Sequence, residues 1–372
     1  MRIMISAGGT GGHVNPALAV AGEFRKRYPN AEICFVGTAD RIESKIVPAA
    51  GYPLKTIEMS GLRRGFSLSD IKANMKTAVK LLKSSGDCKK IISEFNPDVV
   101  LGFGGYVTGP VVRMAAKMGI PTAIHEQNAF PGVTNKALSE KVDVVMLTAE
   151  EAKEHMKFKN EPVVTGLPIR GELLEADAEV SRQELGFDKR PIVLCMGGSL
   201  GAREINKAIV DVIASDMYDN RYNYIVSTGQ NGVWVPEKLA ERGINLEKTD
   251  NIKIRAYIDD MARCLSAADL VICRAGASSL SEIQALGKPS ILIPSPNVTE
   301  NHQYHNAMAL VRKNAALIIE EKDLTGTNLT NAVSSLLGDE NRLKEIGINA
   351  RKMAVIDATS RICDIVESIM KK

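Results

Sequence analysis

The chain of 372 residues contains no apolar run approaching the roughly 20 residues that a bilayer-spanning helix needs. Met1-Arg2 leads straight into a strand pattern where a signal peptide would carry a longer apolar segment. Cysteine is sparse. None of the six (positions 34, 88, 195, 264, 273, 363) stands in a C-x-x-C pair, and Cys195 and Cys273 fall in expected buried strands. That pattern excludes zinc-finger spacing and predicts reduced core thiols in a cytosolic protein. Aromatic residues make up 5%, with no RNP-like motif and no long basic run, so nucleic acid is not an expected partner. Low-complexity tracts and short repeats are also missing. What remains, 45% hydrophobic and 24% charged, describes a globular chain long enough for two domains.

The net charge of +3 conceals an asymmetry: residues 1–168 hold 22 basic against 16 acidic side chains, the remainder 25 against 28. A basic first half implies an anionic partner on that side. Within it, 69–85 has helical periodicity. Ile71, Met75, Ala78, Val79 and Leu82 form an apolar stripe beside Lys72, Lys76, Lys80 and Lys83, with Arg63 and Arg64 just before. This is either a helix packed on a sheet or a surface for anionic lipid headgroups.

The chain opens with an expected strand at 2–7, followed by Gly8-Gly9-Thr10-Gly11-Gly12-His13 and a helix to about Tyr28, with Pro16 at a plausible first-turn position. Glycines at such a turn let the backbone approach a ligand and leave its amides free. The loop is not a dinucleotide fingerprint. Val14 stands where Gly or Ala is required, and no acidic residue ends the next strand at 32–36, so a nicotinamide cofactor is not expected. His13 is either a hydrogen-bonded structural side chain or a general base.

Further strands at 99–103 and 122–124 end in Gly104-Gly105-Tyr106 and His125-Glu126-Gln127-Asn128, ahead of another at 144–147. Polar clusters at the carboxyl ends of parallel strands are where open α/β sheets bind ligands. After a mostly helical stretch at 172–190, a second strand at 192–196 leads into Gly197-Gly198-Ser199-Leu200-Gly201-Ala202, echoing residues 3–12 about 190 positions later. Strands at 224–227 and 252–255 continue it. The chain therefore predicts two doubly wound domains in tandem, 1–168 and 169–356, with a terminal helix at 359–370 whose apolar face, Ile362, Ile365, Val366 and Ile369, should dock on a domain.

The most informative stretch is Asp269–Pro296. A strand at 270–273, the turn Arg274-Ala-Gly-Ala, a helix from about Ser278 and a strand at 290–293 place small residues and hydroxyls at a helix N-terminus, where phosphate binds well. Glu282, one turn in, either receives a sugar's vicinal hydroxyls or closes a capping box with Ser279.

Six motifs follow in register: GGTGGHxxPALA at 8–19, GFGGYxxxP at 102–110, HEQNxxxG at 125–132, GGSxGA at 197–202, RAGAxSxSE at 274–282 and QxxNA at 303–307. Across essentially the whole chain they resemble the MurG family of glycosyltransferases. The resemblance implies the GT-B architecture, α/β with two Rossmann-like parallel-sheet domains facing a cleft, and a terminal helix at about 357–372 that packs back on the first domain. It implies inverting, metal-independent transfer of GlcNAc from UDP-GlcNAc to the 4-hydroxyl of MurNAc in undecaprenyl-pyrophosphoryl-MurNAc-pentapeptide, without a cofactor. No Asp-x-Asp metal signature occurs. Implied donor contacts are Thr10, Gly11, Gly12, Asn128, Arg170, Ser199, Ile258, Ala277, Ser278, Ser279, Leu280, Glu282, Gln303 and Asn306. Of these, Ser199 and 277–280 are expected on the phosphates, Glu282 on the ribose, Ile258 on the uracil, and Gln303 with Asn306 on the sugar. Implied acceptor contacts are Gly104, Gly105, Tyr106 and Gln127, with His13 the first choice of base and Glu126 the second. One departure is Leu167, where many relatives carry Asn. The family works as a peripheral protein on the cytoplasmic face of the cell membrane, an anionic surface. Alternatives stay open: within enzymes, a GT-B relative using another lipid acceptor or a UDP-GlcNAc epimerase of similar architecture, and outside them a catalytically silent scaffold that binds cell-wall enzymes at the membrane.

Overall fold

The computed structural model describes residues 1–59, 85–198 and 200–370. The stretch expected to be an amphipathic helix at 69–85 (its last residue aside), Arg63, Arg64 and Ser199 lie outside the described residues. The chain divides into two compact units, Met1–Ile169 with Ile356–Lys372, and Arg170–Val355.

The first unit is a parallel sheet of β1 (Arg2–Ser6), β2 (Glu32–Gly37), β3 (Leu54–Thr56), β4 (Val99–Gly102), β5 (Thr122–Glu126), β6 (Val144–Leu147) and β7 (Val163–Val164). Their spatial order is β3-β2-β1-β4-β5-β6-β7. Ile3 pairs with Ile33 on one side and Val99 on the other. Its helices are α1 (Gly11–Arg27), α2 (Glu43–Ala49), α3 (85–95), α4 (Thr108–Lys117) and α5 (Val133–Leu138). Helices cover both faces, which is why these strands read as continuous apolar runs. Ile3 and Ile5 join the core with α1, while Met4 faces Ile92, Val111 and Val112 on the other side.

The second unit repeats the plan with β8 (Ile192–Met196), β9 (Asn223–Ser227), β10 (Ile252–Arg255), β11 (Leu270–Cys273), β12 (Ser290–Leu292) and β13 (Leu317–Ile318), in the parallel order β10-β9-β8-β11-β12-β13. Around them run α6 (Glu172–Glu175), α7 (Ala178–Glu184), α8 (Arg203–Asp216), α9 (Val235–Glu241), α10 (Met261–Ala267), α11 (Ala277–Leu286), α12 (His302–Val311), α13 (Gly326–Leu337) and α14 (Glu340–Lys352). The last helix, α15 (Ala358–Met370), belongs to the first unit. It buries Ile362, Cys363, Val366 and Ile369 against the core beside α1, and Arg27 of α1 holds Glu367 at 3.0 Å.

Some local expectations are corrected. Pro16 lies inside α1, not at its first turn, because the helix begins at Gly11. β5 runs on through His125 and Glu126, which pair with Met146 and Leu147; this lattice buries both side chains. The mostly helical stretch expected at 172–190 is made of two short helices, Glu172–Glu175 and Ala178–Glu184. All six cysteines are buried and unpaired, and burial pushes the Cys273 thiol up to about 12, far from thiolate reactivity. Among the described residues no helix is long and apolar enough to cross a membrane.

Candidate functional site

In both sheets the strand order reverses once beside the first strand of the unit, between β1 and β4 and between β8 and β11. Ligands of doubly wound sheets bind at the carboxyl ends of the strands at that reversal. The glycine turns stand there.

In the first unit the turn after β1 and the turn after β4 touch through bare backbone. Gly8 N–H donates to Gly104 O at 3.3 Å. A Cβ on Gly105, whose φ is +86°, would sit 2.3 Å from Gly8 O, so a side chain there would push the two turns apart. His13, in the first turn of α1, points its ring at Gly104; a Cβ there would lie 2.8 Å from His13 Cδ2. Nδ1 of His13 is 2.9 Å from Gly8 O and 3.4 Å from Thr10 Oγ1. A carbonyl oxygen only accepts, so Nδ1 carries the proton and the Nε2 lone pair is left available. Among the described residues no hydrogen bond reaches Nε2. Thr10 is exposed at the N-cap of α1 and makes no side-chain cap bond, while Gly11 and Gly12 form the first turn with its unpaired amides. Tyr106 is 59% exposed.

Glu126, the second choice of base, is placed for another task. It is 2% exposed. Oε1 accepts from the backbone N–H and Nδ2 of Asn128 at 2.9 and 3.1 Å, and Oε2 from Gly132 N–H and Asn135 Nδ2 at 3.1 and 2.8 Å. Four donors saturate the carboxylate, making it a clamp on the loop 127–135. Gln127 is similarly committed, Nε2 donating to Phe103 O at 2.9 Å and His125 O at 3.1 Å while the side chain stays buried. His125 stacks on Phe103 with ring centroids 5.6 Å apart and donates Nε2–H to Gly166 O at 2.8 Å. Complete burial pushes its imidazole down to about 4. These side chains build the loop, and Asn128 with Tyr106 is what they present.

The second unit repeats the contact between turns. A Cβ on Gly201 would meet Thr228 O at 2.1 Å, and one on Gly229 would meet Gly201 N at 2.0 Å. Asn206 Nδ2 donates to Thr228 O at 2.8 Å and fixes α8 beneath. Beside this loop a cavity of about 530 Å3 is lined by Gly197, Gly198, Arg274, Ser295, Gln303 and Glu321, among others. Arg274 donates to Ile293 O and Pro294 O at 3.2 and 3.1 Å and pairs with Glu321. Gln303 Oε1 accepts from Ser295 N–H at 2.9 Å. Asn306 and Ile258 do not line this cavity. Asn306 is buried, donating to Ala275 O at 3.2 Å under the turn, and Ile258 is 3% exposed.

Helix α11 begins at Ala277 after Gly276, with no side-chain cap. Ser279 is therefore inside the first turn, and no capping box forms. Its first turn offers the amides of Ala277, Ser278 and Ser279 to an anion, with both serines half-buried, while the Leu280 N–H is taken by Gly276 O at 3.0 Å. Glu282 turns instead to Arg170: Oε1 lies 2.9 Å from Nε and 2.8 Å from Nη2. Burial pushes the Glu282 carboxyl up, and the guanidinium opposes that shift. Two side chains expected to hold different parts of one nucleotide thus meet before any ligand arrives.

Several participants were not singled out from sequence: Glu321, Asn135, Asn206 and Glu43. Each acts over a long sequence separation and carries no local signature except Glu43, an acidic residue in the first turn of a short helix directly after a strand end.

Comparison with known proteins gives consistent results. The glycosyltransferase family 28 N-terminal domain matches residues 3–147, and the family 28 C-terminal domain residues 192–362. The chain is 45% identical to the UDP-N-acetylglucosamine–N-acetylmuramyl-(pentapeptide) pyrophosphoryl-undecaprenol N-acetylglucosamine transferase of Acetivibrio thermocellus, over 100% of this chain and 99% of the relative. It is 41% identical to the Alkaliphilus oremlandii enzyme of the same name, over the full length of both. Among solved structures it resembles Acinetobacter baumannii MurG, with a TM-score of 0.80 and 29% identity over 99% of each chain. It also resembles the UDP-GlcNAc 2-epimerase of Neisseria meningitidis, with a TM-score of 0.66 at 14% identity over 100% of both chains, a likeness of fold alone.

Proposed function

Since the chain belongs to glycosyltransferase family 28, and within it to the MurG enzymes, we propose that it transfers GlcNAc from UDP-GlcNAc to the muramoyl sugar of undecaprenyl-pyrophosphoryl-MurNAc-pentapeptide. The observation that carries this reading is full-length identity to transferases of that name, at a level far above the epimerase likeness. The acceptor's 4-hydroxyl attacks the anomeric carbon, the configuration inverts, UDP leaves, and the hydroxyl proton passes to Nε2 of His13. In the second unit Ser199 and the 277–280 turn, through its free amides at Ala277, Ser278 and Ser279, take the diphosphate, Glu282 the ribose, Ile258 the uracil, and Gln303 the sugar. Arg170, already on Glu282, keeps a cationic edge for the diphosphate. In the first unit Thr10, Gly11, Gly12 and Asn128 also meet the donor, and Gly104, Gly105 and Tyr106 meet the acceptor. Glu126 and Gln127 shape that loop and stay out of the chemistry.

The acceptor's lipid stays in a bilayer, so the enzyme works as a peripheral protein at the cytoplasmic face, where the basic first unit meets an anionic surface. Sedimentation with anionic vesicles, weakened by salt, tests that contact.

The test of function is product analysis with UDP-GlcNAc, with and without the lipid-linked muramoyl-pentapeptide, in excess chelator. Transfer that requires the acceptor and survives the chelator is expected. Conversion of UDP-GlcNAc alone would establish the epimerase reading, and absence of turnover the scaffold reading.

A further inference from the structure

Glu43 is 1% exposed at the start of α2, a carboxylate with no part in the chemistry so far. Oε1 accepts from the N–H and hydroxyl of Thr38 at 3.0 and 2.8 Å, and Oε2 accepts from Gly9 N–H at 2.9 Å. Two glycines leave room for it. A Cβ on Gly8 would lie 2.6 Å from Oε1, and one on Gly37 would lie 2.7 Å from Glu43 Cγ.

The N–H of Gly9 and the C=O of Gly8 belong to the same peptide group. Glu43 holds one end of that group, and Nδ1–H of His13 donates to the other at 2.9 Å. A carboxylate on the N–H polarises the amide and makes its oxygen a stronger acceptor. The oxygen in turn fixes the Nδ1–H tautomer and favours the imidazolium that forms when Nε2 takes a proton. Among the described residues the His13 ring is met by Thr10 of its own helix, Gly8 of the β1 turn and Gly104 of the β4 turn, none of them charged. Glu43 is the charge that this peptide connects to the ring.

We infer that Glu43 is a positioning residue for His13, acting through the Gly8–Gly9 peptide as a carboxylate–amide–imidazole relay. The inference rests on the reading of His13 as the base.

Glu43→Gln tests it, because the side-chain amide oxygen can still accept from Gly9 while the charge is gone. The expected result is a folded enzyme whose kcat falls about tenfold, whose acid limb in the kcat–pH profile moves about half a unit lower, and whose KM for UDP-GlcNAc is unchanged. A purely structural role would leave the pH profile in place. A folded Glu43→Gln enzyme with the parent's acid limb overturns the inference. Should that variant not fold, 15N spectra of the parent decide: His13 protonated at Nδ1 supports the relay, and protonation at Nε2 overturns it. His13→Gln measured alongside separates the two readings, since an acid limb that survives this variant removes His13 as the base whatever Glu43 does.

Discussion

Arg170 and Glu282 share one carboxylate oxygen: Nε and Nη2 of the arginine both lie on Oε1, at 2.9 and 2.8 Å. In the proposed ribose contact this leaves Oε2 as the acceptor, on a carboxylate that Arg170 already orients. A single charge on the partner offsets the desolvation that pushes its carboxyl up.

Truncating that charge should therefore weaken nucleotide binding. In Glu282→Gln the ribose loses a charged acceptor worth roughly 1.5–3 kcal/mol, about a 10- to 150-fold rise in the Kd for UDP. Isothermal titration with UDP reads this directly. Binding equal to the parent's would remove Glu282 from ribose recognition.

His13→Gln should separate chemistry from nucleotide binding. Loss of a general base costs about 100- to 10,000-fold in kcat. The residues proposed for uracil, ribose and diphosphate all lie in the second unit, so UDP affinity should stay at the parent value. A variant with kcat within threefold of the parent would place the base elsewhere.

Two glycines with positive φ distinguish backbone strain from steric contact. Gly119→Ala (φ +75°, nothing within 4 Å of the added Cβ) should cost only the conformational penalty, about 1 kcal/mol. Gly105→Ala, whose Cβ would collide with Gly8 O, should lower the Tm further and reduce kcat, because Gly8 O holds the His13 ring. Equal melting shifts for both would mean the β4 turn yields freely.

His125 sets a pH dependence of stability. Its imidazole titrates near 4 in the folded protein against about 6.5 in an unfolded chain. Between those values the unfolded chain binds a proton that the folded protein refuses. Stability is thus intact above about pH 6.5 and falls as the pH drops toward 4, by about 3 kcal/mol in the limit. Urea midpoints of the parent and His125→Gln, followed from pH 7 to pH 4.5, should converge as the pH falls. A constant difference between them would mean His125 protonates freely in the fold.

Some of this organisation was legible in the residues themselves. Ile3-Met4-Ile5 and Leu270–Cys273 could only be strands buried on both faces, and glycine turns directly after them could only lie at the carboxyl edge of a parallel sheet. Period and turn chemistry are properties of neighbouring residues, so two doubly wound units with glycine turns at the carboxyl edges of their sheets followed from the chain. The roles of the carboxylates did not. Glu126 looked like a base until β5 was seen to run through it and four donors closed around it. Glu282 looked like a capping residue until Arg170, 112 positions away, was found on it. Glu43 carried no signal of its contact with Gly9, 34 positions earlier, because that contact exists only once β2 pairs with β1. A carboxylate's function depends on which donors surround it in a site sheltered from water. For Glu282 and Glu43 tertiary packing brings a partner from 112 and 34 positions away, whereas the donors to Glu126 lie within nine residues and close on it only in the folded loop.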